Sequence, residues 1–226
     1  MSYQDRPRTQ CLVIDIETKP DHAYLELPEV REDIEAAIKV PDNYTKPDSI
    51  REYRENAARK AIAKAALDPQ LGRIVAIGHA DLWSEDSIDC IGIEDEADLL
   101  HEFQIVLGAI GPQVIAGWNV RAFDIPFITA RCVVHGITLP PWWPHTRAYH
   151  AIADAMELLA PERGAKLRSW LRRTGLPNKT ADGSEVAHMT LPEIVAYCTN
   201  DVRVERQLMR RSAWAFPQLQ AVEIPL

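Results

Sequence analysis

No Cys-x-x-Cys pair occurs in this chain, and its four cysteines, Cys11, Cys90, Cys132 and Cys198, lie far apart. That spacing argues against a zinc site or a disulfide framework, so reduced and mostly buried thiols are expected. No apolar run approaches the roughly 18–20 residues that a membrane span needs. The opening stretch MSYQDRPRTQ lacks the apolar core of a signal peptide. A cytoplasmic protein with no membrane partner is the expectation. Positive charge is also in short supply: the formal net charge is −8, which is no signature of a general nucleic-acid binder. Bound cations and a local basic patch can still carry a phosphate backbone, so the global charge excludes little. Internal repeats and low-complexity tails are missing too.

What is present is ordinary globular material. The 226 residues are 46% hydrophobic and 26% charged, enough for one sizeable core, and a single domain over 1–226 is expected. Strand-like runs fall at 11–17, 73–82, 87–93 and 113–118. Helical spacing marks 95–111 and 124–136, each closed by a glycine. A long helix is expected over 190–211, with Thr190 and Glu193 as a capping box and Pro192 in the first turn. Close strands followed by a helix-connected strand predict an α/β fold, a mixed sheet flanked by helices. Residues 19–72 differ. They are rich in charge and alanine and carry only a narrow stripe of Ile50, Tyr53, Ala57, Ala61 and Ala65. They read as a helical insertion after the first strand, with two helices joined by VPDNYTKPDS. The insertion is either peripheral or a cover over substrate.

The first strand, CLVIDIET, contains two carboxylates where a buried strand should avoid them. Residues i and i+2 share a face of a strand, so Asp15 and Glu17 converge. Two close anions repel and are poorly solvated when buried, and a hard divalent cation removes that cost. A strand end with its polar face in water would explain the pair equally well. In AGWNVRAFDIPFI (116–128), Asp124 opens a helix, a common place for a capping aspartate. Asn119 reads as a loop residue bonding local backbone, and Phe123 as core. In YCTND (197–201), Tyr197 and Asp201 share one helix face and would form a plain hydrogen-bonded pair.

Together, DIET, GWNVRAFDIPFI and YCTNDV occur in a familiar order. The chain resembles the tyrosine subclass of DEDD exonucleases, which have the ribonuclease H-like fold. It is most similar to the proofreading 3′–5′ exonuclease domain of family-B DNA polymerases and its stand-alone relatives. The likeness extends through KAALDPQLGRIVAIG and LRRTGLPNKTADGSEV. It spans essentially the whole chain and leaves no room for a polymerase domain.

The resemblance implies a ribonuclease H-like fold and two Mg²⁺ or Mn²⁺ ions. It further implies that Asp15 bridges the ions, that Glu17 and Asp201 serve the ion holding the nucleophile, and that Asp124 serves the other. Tyr197 would hydrogen-bond the attacking water. Thr18, Asn119 and Phe123 belong to the same motifs and are substrate-contact candidates. The histidine subclass would carry its histidine near position 196, where this chain has Ala196; His188 lies too far upstream and reads as a surface or loop residue. Two ions about 3.5–4 Å apart would activate water and clamp an in-line displacement, so no serine, cysteine or histidine nucleophile is required. Because bulk water is expected to reach the site, the acids need not be strongly shifted without metal.

The implied reaction is 3′–5′ hydrolysis of DNA, at single-stranded or frayed ends, to nucleoside 5′-monophosphates. RNA 3′-trimming and a non-catalytic nucleic-acid-binding or polymerase-associated module are the alternatives. DNA is favoured over RNA, with replication or repair proteins as candidate partners. Residues 161–179 set Arg163, Lys166, Arg168, Arg172, Arg173 and Lys179 against Glu162 alone. Either they track phosphates, with Lys166 and Arg168 as contacts, or they form the solvated face of a helix packed through Leu167, Trp170 and Leu171. Trp142 and Trp143 of PPWWP would pack rather than stack a base. Asp154 and His150 read as rim or structural residues.

Overall fold

The computed structural model describes residues 10–84, 87–159, 166–180 and 183–220. The chain forms two compact units, one of Met1–Glu17 with Ile74–Leu226 and one of Thr18–Arg73. The strands are β1 (Cys11–Pro20), β2 (Gly72–Asp81), β3 (Ile88–Ile91), β4 (Val114–Gly117) and β5 (Ile152–Asp154). The helices of four or more residues are α1 (His22–Leu25), α2 (Pro28–Ala36), α3 (Pro47–Lys64), α4 (Glu96–Ile110), α5 (Asp124–Val134), α6 (Ala155–Leu159), α7 (Leu167–Thr174) and α8 (Leu191–Ser212).

One sheet runs in the order β3-β2-β1-β4-β5. It is mixed, as the sequence predicts: β1 and β4 are parallel, β4 and β5 are parallel, and β2 and β3 are antiparallel. The central strand β1 decides the rest through its two-residue period. Leu12, Ile14 and Ile16 point to one face, where they join Leu99, Phe103, Ile125 and Phe127 from α4 and α5 in the main core. Cys11 and Val13 point to the other face and pack with Val202 and Met209 of α8. Asp15 and Glu17 continue that second set.

The strand β5 is absent from the sequence reading. Its three residues are too few for any alternation to show, and it exists because Ile152 and Asp154 pair with Ile115 and Gly117. The helix ends follow the expected chemistry. Asp95 caps α4 by accepting the Asp98 N–H at 3.0 Å, and Gly111 ends it at φ 56°. The Thr190 N–H donates to Glu193 Oε2 at 2.7 Å, closing the predicted capping box of α8.

Gly117 marks where β4 comes too close to β1 for a side chain. A Cβ there would lie 2.7 Å from the Ile14 carbonyl oxygen. Gly117→Ala is expected to lower stability by about 1–3 kcal/mol, read as a drop in the urea midpoint. An unchanged midpoint would show that the two strands can part without cost.

In the unit Thr18–Arg73, Asp21 caps α1 by accepting the Tyr24 N–H, while Pro28 and Pro47 open α2 and α3. Its small core is Leu25, Val30 and Ala65, with Ile34, Ile62 and Leu71 packed against them. The α3 stripe Ile50, Tyr53, Ala57 and Ala61 is only half-buried. Two of the three helices flank VPDNYTKPDS as expected; the short α1 is additional.

Candidate metal-binding active site

Three elements converge on the face of β1 that lies under α8. β1 supplies Asp15 and Glu17. The first turn of α5 supplies Asp124, and its Oδ1 accepts the Ile16 N–H at 3.0 Å. Asp124 therefore does not spend its carboxylate capping its own helix, the plainest reading of its position; the side chain reaches across to the central strand. α8 supplies Tyr197 and Asp201 one turn apart, and the Cys198 thiol donates to the Asp15 carbonyl oxygen at 3.6 Å. Oxygens of Asp15 and Glu17 and the Cys198 sulfur all lie within 4.8 Å of one another.

The site is drier than the sequence suggests. Glu17 is 8% exposed and Asp201 fully buried, because α8 covers the face on which a wet strand end was expected. Burial is accordingly the first cause of every carboxylate shift here. It raises Asp15 to about 7, with Lys179 pulling down and Asp201 pushing up. Burial, then the Asp15 charge, holds Glu17 well above the usual range. The same causes hold Asp124 up, opposed by the Ile16 N–H. Burial raises Asp201 too, and Lys179, Tyr197 and Arg168 oppose it without overcoming it. The expectation of unshifted acids is corrected by these directions.

Three residues outside the predicted set of four acids and a tyrosine also stand at the site. Lys179 places its Nζ 2.5 Å from Asp201 Oδ2 and 5.7 Å from the centre of the Tyr197 ring. Burial alone would lower its ammonium, but Asp15, Asp201 and Glu205 outweigh that and push it up. Glu205, one turn beyond Asp201, is 3% exposed and accepts the Trp118 N–H at 3.1 Å. Burial, then Asp15, holds its carboxyl well above the ordinary range. Cys198 packs under Gly78, where an added Cβ would lie 2.9 Å from its sulfur. For Glu205 a signal did exist: Tyr197, Asp201 and Glu205 are spaced by four, a single stripe along one helix. Lys179 reads in the sequence only as one of the basic residues of 161–179, and its Pro-Asn-Lys loop does not point it at Asp201.

These donors suit a hard cation. Asp15 Oδ2 is buried with no hydrogen-bond partner among the described residues, and the buried Glu17, Asp124, Asp201 and Glu205 lie near it. Oxygen donors of this kind match Mg²⁺ or Mn²⁺. The Cys198 sulfur is a soft donor poorly matched to such a hard cation, and its thiol donates to the Asp15 carbonyl oxygen. Tyr197 stays protonated, its phenol raised by burial first and by Asp201 and Glu17 after. Its hydroxyl is buried without a well-formed hydrogen bond among the described residues.

The remaining expectations divide. Asn119 sits in the turn before α5 with φ 64°. Phe123 precedes α5, half-buried, its ring 5.5 Å from that of Phe127. Arg168, on α7, acts electrostatically on Asp201, whereas Lys166 is exposed at the start of that helix. α7 also buries Leu167 and Leu171, so it is both a basic and a packing helix. The Thr18 hydroxyl donates to the Ala66 carbonyl oxygen at 2.5 Å. Arg163 and Glu162 lie outside the described residues. Trp143 packs as expected, edge-on to Phe103 and with its indole N–H donating to Thr129 Oγ1, while Trp142 stays 38% exposed. His188 and His150 are exposed. All four cysteines are free, and among the described residues no helix is long and apolar enough to cross a membrane.

Comparison with known proteins bears on the family and the fold. The family model for the DNA polymerase family B exonuclease domain matches residues 1–140, which include Asp15, Glu17 and Asp124 but not Tyr197 or Asp201. No curated protein matches the chain. A solved structure, the family B DNA polymerase from the hyperthermophilic archaeon Pyrobaculum calidifontis, aligns over 92% of this chain with a TM-score of 0.61 and 17% identity. The chain covers only 25% of that polymerase, and at such identity the likeness speaks for the fold, an α/β ribonuclease H-like sheet. With more than half its length under the family model and the same fold throughout, the chain belongs to the DNA polymerase family B exonuclease-domain family.

Proposed function

We propose that this chain is a metal-dependent 3′–5′ exonuclease that removes nucleoside 5′-monophosphates from DNA, at single-stranded or frayed 3′ ends. The observation that carries the reading is the convergence of Asp15, Glu17, Asp124 and Asp201 from three separate elements onto one buried face. Bound cations or protons relieve such a cluster, and at neutral pH one lysine leaves room for cations. Family membership supports the reaction class.

On this reading Asp15, Glu17, Asp124 and Asp201 would hold two Mg²⁺ or Mn²⁺ ions. Bound there, such ions would lower the pKa of the attacking water and stabilise charge on the phosphoryl and leaving oxygens. The chain's own residues do the positioning. The Ile16 N–H fixes the Asp124 carboxylate. Tyr197 keeps its proton and offers its hydroxyl to the attacking water. Lys179 holds Asp201 in one orientation and tempers the negative field. Asn119 and Phe123 face the terminal nucleotide, Thr18 stands beside Glu17 on β1, and Arg168 with Lys166 takes phosphates farther along the strand. The partners are DNA and the replication or repair machinery of the cytoplasm.

The test is direct. A 3′-labelled single strand is incubated with Mg²⁺ or Mn²⁺, alongside RNA of the same sequence. Labelled mononucleotide should appear from DNA and be lost in Asp15→Ala. Release undiminished in that variant would sink the assignment of the acids. Faster release from RNA would transfer the reading to RNA trimming, and no release from either would favour a binding module.

A further inference from the structure

The turn between β4 and α5 is shaped from outside. Asp154, at the end of β5 and 3% exposed, faces it in register with Gly117. Its Oδ1 accepts the Asn119 N–H at 3.0 Å and the Met156 N–H at 2.9 Å, with a longer bond of 3.4 Å from Glu157; its Oδ2 accepts the Arg121 N–H at 3.0 Å. One carboxylate thus satisfies both the turn and the start of α6. The Arg121 side chain ties down the same segment, with Nε 2.8 Å from Glu157 Oε2 and Nη1 donating to the Thr146 carbonyl oxygen at 2.7 Å.

Within this frame Asn119 adopts φ 64°, the one positive φ outside glycine among the described residues. Left-handed backbone is disfavoured for a side chain, and asparagine tolerates it better than most. Such a residue persists only where its surroundings over-determine it. Here the Asp154 carboxylate does so, leaving the Asn119 side-chain amide with no hydrogen bond among the described residues. Of the two roles the sequence allows Asp154, rim or structural, its burial and its backbone N–H partners favour the structural one.

We infer that Asp154 is a positioning residue that holds Asn119 in its left-handed conformation so that the free amide is presented to the 3′-terminal nucleotide. The inference rests on the exonuclease reading, and it assigns Asp154 to capture of the strand end rather than to hydrolysis. A carboxylate is suited to this because it accepts several N–H groups at once and has none of its own to clash with them.

The experiment is steady-state kinetics on single-stranded DNA with Mn²⁺, for wild type, Asp154→Ala, Asn119→Gly and the double variant. Asn119→Gly keeps the backbone conformation and removes only the amide. Asp154→Ala and Asn119→Gly should each raise KM about tenfold with kcat changed less than threefold. The double variant should be no worse than Asn119→Gly alone, because both changes break the same link. Asp154→Asn retains one accepting oxygen where two are used and should raise KM about threefold, between wild type and Asp154→Ala; it also serves if Asp154→Ala does not fold. Additive losses, a fall in kcat with KM unchanged, or no loss of affinity in either Asp154 variant would overturn the inference. An inactive wild-type protein would overturn the exonuclease reading first, which keeps the two failures distinct.

Discussion

Asp15→Asn should abolish nucleotide release, by at least about a thousandfold, and at the same time raise the melting temperature measured in chelator at pH 8. The first half follows from the cation-binding reading. Loss of a shared ligand removes several kcal/mol of charge stabilisation, and each 1.4 kcal/mol is about tenfold in rate. The second half follows from burial. The native Asp15 carboxyl titrates at about 7 rather than its ordinary 3.8, chiefly because burial disfavours its charge. The folded state therefore holds a proton that the unfolded state has already released between roughly pH 4 and pH 7. Unfolding releases that proton, so this group's contribution to stability is full below pH 4 and declines as pH rises to 7. Asparagine keeps the shape and drops the charge. The wild type in chelator should melt lower at pH 8 than at pH 5, and the variant should show a shallower fall. Thermal scans at the two pH values decide it. A variant that melts lower than wild type in chelator at pH 8 would show that the Asp15 charge stabilises the metal-free fold.

Lys179→Met should produce the opposite phenotype. The Lys179 ammonium lies 2.5 Å from a fully buried Asp201 carboxylate, and removing one partner of a buried pair leaves the other uncompensated. Such losses run to about 3–5 kcal/mol; since Lys179 is itself 22% exposed, a figure of about 2–3 kcal/mol is expected at pH 8. That corresponds to roughly 4–12 °C for a chain of this size. Near pH 5 the loss should shrink, because Asp201, already raised by burial, would simply take up a proton. Mg²⁺ should restore much of the midpoint at pH 8, and should raise it more in the variant than in the wild type. A variant that melts like the wild type in chelator at pH 8 would show that Lys179 is not what balances Asp201.

The sequence makes the site's membership far more legible than its environment. Asp15 and Glu17 stand out because a period of two puts them on one face of an otherwise apolar strand. Asp124, Tyr197 and Asp201 become readable through their order along the chain. The dryness of the site was hidden, because it depends on which face of β1 the distant helix α8 covers, and local pattern does not encode that. Glu205 was missed although its spacing from Asp201 was visible; an exposed glutamate on a surface helix looks identical in sequence. Asp154 belongs to a strand of three residues, too short to announce itself, and its partners are backbone N–H groups with no signature of their own.

The hydrogen bond from Cys198 to the carbonyl of Asp15 joins positions 183 residues apart. During synthesis, β1 with its two acids leaves the ribosome well before the helix that completes their surroundings. At 5–20 residues per second, the acidic strand waits about 10–40 s for α8. Through that interval the growing chain has the recognisable motif and no assembled acid cluster. On the exonuclease reading, hydrolytic competence waits for α8, and a product truncated before it would lack Tyr197 and Asp201.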